Sequence, residues 1–127
     1  MGLFLLKMYA THLNCVFCGE EHPLDVVYKC RKCGGVLDVR YDYERLRNEV
    51  NLSEIFSKRG DSLWKYRVFL PVRNSENVVS LVEGMTPLFH AESLGSVLGL
   101  RNLYVKDERR NPTSSFKDRP YSVGVSM

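Results

Sequence analysis

At 127 residues the chain has an ordinary globular composition, 44% hydrophobic and 26% charged, and is long enough for one domain that buries roughly two-thirds of its unfolded surface. The net charge of +3 is too small to imply a polyanionic partner. The four apolar residues Leu3 to Leu6 are too few for a signal-peptide core or a bilayer span, so a cytoplasmic protein without a membrane partner is expected, with Met8 an alternative start.

Three segments follow in chain order: residues 1–40, 41–82 and 83–127. The first carries all four cysteines and two strand-like runs, Asp25 to Cys30 and Val36 to Tyr41. The second predicts a helix over Asp42 to Val50, where Tyr43, Leu46 and Val50 recur at helical spacing. A second helix is expected over Ser53 to Lys58, capped by Ser53 and ended by Gly60. Trp64, Tyr66, Val68 and Leu70 then alternate with a period of two, which predicts a strand or extended connector before Pro71.

In the third segment Gly84 and Pro87 mark a turn. Glu92 to Leu98 reads as a helix stopped by Gly99, and Leu103 to Lys106 as a strand. Asn111-Pro112 breaks the chain before a last helix, with Ser115 as its expected cap and Pro120 tolerated in its first turn. Positive charge gathers here: residues 101–119 hold six basic side chains against three acids.

Cys15-Val-Phe-Cys18 and Cys30-Arg-Lys-Cys33 form two C-x2-C pairs separated by eleven residues, each followed by glycine (Gly19, then Gly34-Gly35). Each pair points two thiolates at one ion, and the small residue behind it lets backbone amides approach the sulfurs. Two such knuckles complete a tetrahedral shell with no open position, so the expected metal is structural: zinc, or iron in a rubredoxin-like site. Such spacing belongs to a metal site rather than a disulfide framework, which agrees with a reducing compartment.

Lys117, between Phe116 and Asp118, is by default a solvated side chain. Three features favour a chemical role. A strand leads through a proline turn into a helix start, the place where α/β proteins bind ligands. Ser114, Ser115 and the first helix amides make an anion cradle. Surrounding positive charge disfavours the protonated amine, and a neutral amine is what attacks a carbonyl.

The stretch from Val82 to Arg119 resembles the threonine synthase family, pyridoxal-phosphate enzymes of fold type II (the tryptophan synthase β-like group). The resemblance rests on Glu83-Gly84-x-Thr86-Pro87-Leu88, Leu94-Gly95, Asn102 to Glu108, and Asn111-Pro112-Thr113-x-Ser115-Phe116-Lys117-Asp118-Arg119. It extends upstream through the cysteine ribbon, the Leu37-x-Val39-x-Tyr41-Asp42 run and Trp64-x-Tyr66 before Leu70-Pro71. Ser114 and Pro120 stand where the family commonly has glycine. The resemblance implies an α/β fold: a zinc ribbon followed by the first, incomplete part of a fold type II domain. It implies that Lys117 carries the pyridoxal 5'-phosphate and moves protons on the substrate. The family reaction converts O-phospho-L-homoserine and water into L-threonine and phosphate. Cysteate synthase and amino-acid dehydratases share the lysine motif, so the substrate stays open among them.

Ser115 and Arg119 are the candidate substrate contacts; capping explains Ser115 equally well, and a solvated face is the competing reading of Arg119. In this family the glycine-rich loop for the cofactor phosphate follows the lysine, and the 127 residues contain no such loop. The chain is therefore expected to be an N-terminal portion, inactive alone and prone to self-association. The competing class is a stand-alone zinc ribbon that binds nucleic acid or protein. Its charges are mixed, Lys29, Arg31 and Lys32 against Glu20, Glu21, Asp25 and Asp38, with only Phe17 and Tyr28 to stack on bases, which argues against nucleic acid.

Overall fold

The computed structural model describes residues 7–57, 60 and 62–127. The apolar run at 3–6 and the expected helix end at Lys58 lie outside these residues. The fold is mixed α/β, built from an antiparallel three-stranded sheet and a two-stranded one.

Strand β1 (Ala10–Cys15) is the centre of the first sheet, flanked by β2 (Glu21–Pro23) and β3 (Leu37–Tyr41). Leu13 faces His22 on one side and Val39 on the other. Ala10, Leu13 and Leu24 form the buried cluster, with Met8, Val27, Leu37, Val39 and Tyr41 packed around it. That core is small. The expected strand at Asp25 to Cys30 is absent: the Asp25 carboxylate accepts from the Val26 amide at 2.8 Å and its carbonyl from Val27 at 2.8 Å, which folds the start of the run into a turn. The paired strands lie instead at β1 and β2, where Thr11, His12 and Asn14 hide the alternation from a hydrophobicity pattern.

The middle segment begins with α1 (Tyr43–Glu49), where the Asp42 carboxylate takes the Arg45 amide at 2.9 Å. Helix α2 (Leu52–Ser57) follows, and Asn51 rather than Ser53 meets its first turn, accepting from the Glu54 amide at 3.3 Å. The alternation from Trp64 to Leu70 does not make a strand. Leu63–Phe69 is a 3-10 segment, kinked at Tyr66 and started by the Ser62 hydroxyl, which accepts from the Trp64 amide at 3.3 Å. Aromatic and branched residues favour a strand only when a neighbouring strand packs beside them, and none of the described residues supplies one here. The Tyr41 hydroxyl donates to the Phe69 carbonyl at 2.7 Å and ties this segment to the ribbon.

The third segment pairs β4 (Leu88–His90) with β5 (Tyr104–Lys106), antiparallel, with α3 (Glu92–Leu98) crossing between them and ending at Gly99 as expected. A 3-10 turn, Glu108–Arg110, leads into the Asn111 turn, and α4 (Asp118–Ser126) follows with Pro120 in its first turn. Both faces of the two-stranded ladder are exposed, including Leu88, Phe89, Tyr104 and Val105.

With so few buried side chains, the ribbon depends on each of them. Leu13→Ala should cost about 2–5 kcal/mol, read as an earlier denaturation midpoint, whereas Val97→Ala on the exposed face of α3 should leave the midpoint nearly unchanged.

Candidate functional site

Two sites take shape. In the ribbon, the four cysteine sulfurs all lie within 4.8 Å of one another. Cys15 and Cys33 are 3.5 Å apart, and Cys18 and Cys30 are 3.6 Å apart. The knuckles are alike: the Gly19 amide donates to the Cys15 carbonyl at 3.0 Å, and the Gly34 amide to the Cys30 carbonyl at 2.9 Å. Both glycines sit in the left-handed region, at φ +72° and +74°, where a side chain would be strained. Gly35 has a different reason to be small. A Cβ there would lie 2.5 Å from Phe17 and 3.0 Å from the Cys15 sulfur.

The surroundings of Cys15, Cys30 and Cys33 differ in how they bear on the thiol proton. The Cys18 backbone N–H, more than any other group, holds the Cys15 thiol below its ordinary value. Burial pushes Cys30 up, but amide donors from Cys33 and Lys32 and the His22 ring outweigh it. Contact with the Cys18 sulfur raises Cys33. A divalent cation facing all four sulfurs is the partner that lets every one be a thiolate, and the donor set can hold such a metal.

The second site is the turn that precedes α4. Ser114 has φ +60°, so the serine occupies a left-handed position that glycine would take without strain. Ser115 accepts from the Lys117 amide at 3.2 Å, but regular helix begins only at Asp118. Lys117 is exposed, and its ammonium has no hydrogen bond or ion pair among the described residues.

Its neighbours are held firmly. Buried Asp118 accepts from the Thr113 amide at 2.8 Å and from the Thr113 hydroxyl. Arg119 grips Glu108 side-on, Nε to Oε2 at 2.7 Å and Nη2 to Oε1 at 2.8 Å. Thr86 donates to the same carboxylate at 2.7 Å, and Asn111 donates to it at 3.0 Å. Asn111 in turn accepts from the Gly84 amide at 3.0 Å, tying the Gly84 turn to the Asn111 turn. The Arg119 guanidinium, with Thr86 behind it, holds Glu108 down at about 2.

Glu83 is fully buried. It accepts from Ser122 at 2.7 Å, from the Leu81 amide at 2.8 Å and from Ser80 at 3.0 Å. Burial raises its pKa, yet these donors outweigh that and leave it below the ordinary carboxylate value. Helix α4 is consequently inverted. Its buried stripe is Asp118, Ser122 and Ser126, while Tyr121 and Val125 are 65% and 71% exposed. Those two, with Val79 and Leu81, line a groove of about 450 Å³ that also contains Lys117, Ser115 and Thr113.

Of the sequence-derived candidates, the four cysteines come together and Lys117 and Ser115 share one groove. Arg119 points the other way, with Nε and Nη2 engaged by Glu108 and Thr86. Sequence reasoning missed Glu83, Thr86, Glu108 and Asp118 as anchors. Their partners lie 39, 22, 11 and 5 residues away, without a periodic pattern to reveal them.

The Lys117 amine thus opens into an apolar groove two residues before a fixed ion pair. Residues 79–126 match the family described as pyridoxal-phosphate dependent enzyme. The chain as a whole is similar in sequence to threonine synthases. It is 44% identical to that of Methanocaldococcus jannaschii over 114 residues, 89% of this chain and 28% of the relative. Against the Methanosarcina acetivorans threonine synthase the identity is 44% over 116 residues, 91% of this chain and 27% of the relative. Threonine synthase 2, chloroplastic, of Arabidopsis thaliana is 32% identical over 120 residues, 85% of this chain and 23% of the relative. The chain thus spans about a quarter of the length of the relatives it matches. No helix among the described residues is long and apolar enough to cross a membrane.

The Glu108 anchor has a pH signature. Its folded pKa, about 2, lies below the ordinary 4.5, so its contribution to stability is complete above pH 4.5. It is lost as pH falls from 4.5 through 2. Acid titration of the fold should show this loss in the parent chain, and Glu108→Gln should flatten it over the same window. An unchanged acid limb in Glu108→Gln would mean that the pair does not stabilise the fold.

Proposed function

We propose that these residues are the N-terminal portion of a threonine synthase acting on O-phospho-L-homoserine. Lys117 is the residue that holds pyridoxal 5'-phosphate. The observation that carries this reading is the Lys117 amine, without a polar partner among the described residues, in an apolar groove on a segment locked at Asp118 and Arg119. The groove fits a planar aromatic ring: Val79, Leu81, Tyr121 and Val125 give it apolar walls, with Thr113 and Ser115 as hydroxyls at the lysine end.

When bound, the cofactor supplies an electron sink for carbanion chemistry. The chain's own residues orient and move protons. Lys117 Nζ takes a proton from a substrate carbon and returns one, and its reach is set by the fixed backbone on either side. Ser115 offers its hydroxyl to the substrate from the same wall. Arg119 would have to give up Glu108 to meet the substrate, so its geometry favours anchoring the turn. Tyr121 and Val125 exclude water from the amine once the groove is covered.

We assign the four cysteines to one structural metal ion, zinc, with iron as the alternative, in a zinc ribbon over residues 1–40. The doubled knuckle geometry and the clustered sulfurs support this. The proposed setting is the cytoplasm, where reduced thiols persist.

The 127 residues alone leave the Lys117 groove uncovered, so they should release no phosphate from O-phospho-L-homoserine. A protein extended to the relatives' length should do so, and Lys117→Ala in that protein should abolish turnover while retaining about one zinc or iron per chain. Full turnover by the Lys117→Ala protein would refute the assignment. The exposed apolar residues of β4, β5 and α4 also predict self-association of the 127-residue chain through these faces. Sedimentation velocity should show a concentration-dependent dimer or larger species. A monomer throughout the micromolar range would contradict this.

A further inference from the structure

The ribbon buries a histidine that the metal reading leaves without a role. His22 is 6% exposed, and its Nε2 lies 3.4 Å from the Cys30 sulfur. The sheet explains why it is there. His22 pairs with Leu13 across β1 and β2, so the two side chains share a face of the sheet. Cys15, two residues along β1, lies on that same buried face. The register therefore aims the imidazole toward the cysteine cluster, and Cys30 meets it from the second knuckle.

Resting on the reading that the four cysteines hold a metal, we propose that His22 is a positioning residue of that centre, donating its Nε2–H to the Cys30 thiolate. Four sulfurs already fill a tetrahedral shell, so the ring acts through Cys30 and is not a ligand. The chemistry sets the tautomer. A thiolate is an acceptor only, so the attractive neutral form of the ring carries its proton on Nε2. The need is local. Cys15 and Cys30 are the buried residues of the cluster, while Cys18 and Cys33 are exposed. Amide donors reach Cys15 from Cys18 and Phe17. Cys30 has amide donors too, and the His22 ring adds a side-chain donor from a different strand. The bond thereby couples β2 to the second knuckle. It also lowers the electron density on Cys30, which makes that thiolate a poorer competitor for a proton and slower to leave the metal.

The test uses the 127-residue chain loaded with cadmium-113 and with cobalt(II). In the cadmium protein, a scalar coupling should connect the metal to the proton on His22 Nε2 through the Cys30 sulfur. In the cobalt protein, His22→Phe should move the sulfur-to-metal charge-transfer band to longer wavelength and weaken metal binding about 10–100-fold in chelator competition. His22→Gln, which keeps an N–H donor near the Nε2 position, should recover most of both. A proton on Nδ1 with no coupling to cadmium would overturn the inference even if His22→Phe failed to fold. So would a cobalt spectrum and affinity unchanged in His22→Phe, or a nitrogen ligand in the first coordination shell of the parent protein. Failure of the parent chain to bind any metal is a separate result, which would overturn the metal reading and this inference with it.

Discussion

The side-on pair between Arg119 and Glu108 is the interaction on which the Lys117 region depends. It joins α4 to the 3-10 turn after β5, and through Thr86 and Asn111 it reaches the Gly84 turn as well. Without it, a partly buried carboxylate would face Thr86 and Asn111 with no countercharge, and breaking such a pair costs more than the pair contributes. Buried Glu83 extends the same logic one turn along α4, where Ser122 and two groups of the 80–81 turn neutralise its need for donors.

This polar fastening has a consequence for the site. A helix normally buries its apolar stripe, and α4 buries Asp118, Ser122 and Ser126 instead. Its apolar residues are left to form the wall of the groove into which Lys117 opens. The same hydrogen bonds that hold the helix thus create the surface that the proposed chemistry requires. Backbone strain adds to the picture: Ser114 in the left-handed region costs on the order of 1 kcal/mol, and the anchors on both sides of the turn offset it.

The ribbon solves a different problem. The buried apolar cluster of Ala10, Leu13 and Leu24 is small for a sheet of three short strands, and on the proposed reading a metal ion makes up the deficit. The knuckle glycines give the two cysteine turns one shape, Gly35 leaves room for Phe17 and the Cys15 sulfur, and the buried imidazole lies against Cys30.

Local signals were legible in the sequence. The C-x2-C pairs, the first helix after Asp42, the Gly99 stop and the Asn111-Pro112 break each rest on a few adjacent residues, and each element stands where it was expected. The errors have physical causes. Period two from Trp64 to Leu70 lacked a partner strand, and β1 paired through polar residues that a hydrophobicity pattern discounts. The anchors around Lys117 were invisible because ion pairs such as Glu108–Arg119 join residues whose spacing carries no periodicity. What the motif suggested as a lysine, the structure presents as a lysine on a fixed mount. The most direct measurement is borohydride reduction of the length-extended protein in the presence of pyridoxal 5'-phosphate, followed by peptide mass mapping. The account predicts one pyridoxyl group, on Lys117. A label on Lys106 instead, or one scattered over the surface lysines, would contradict it.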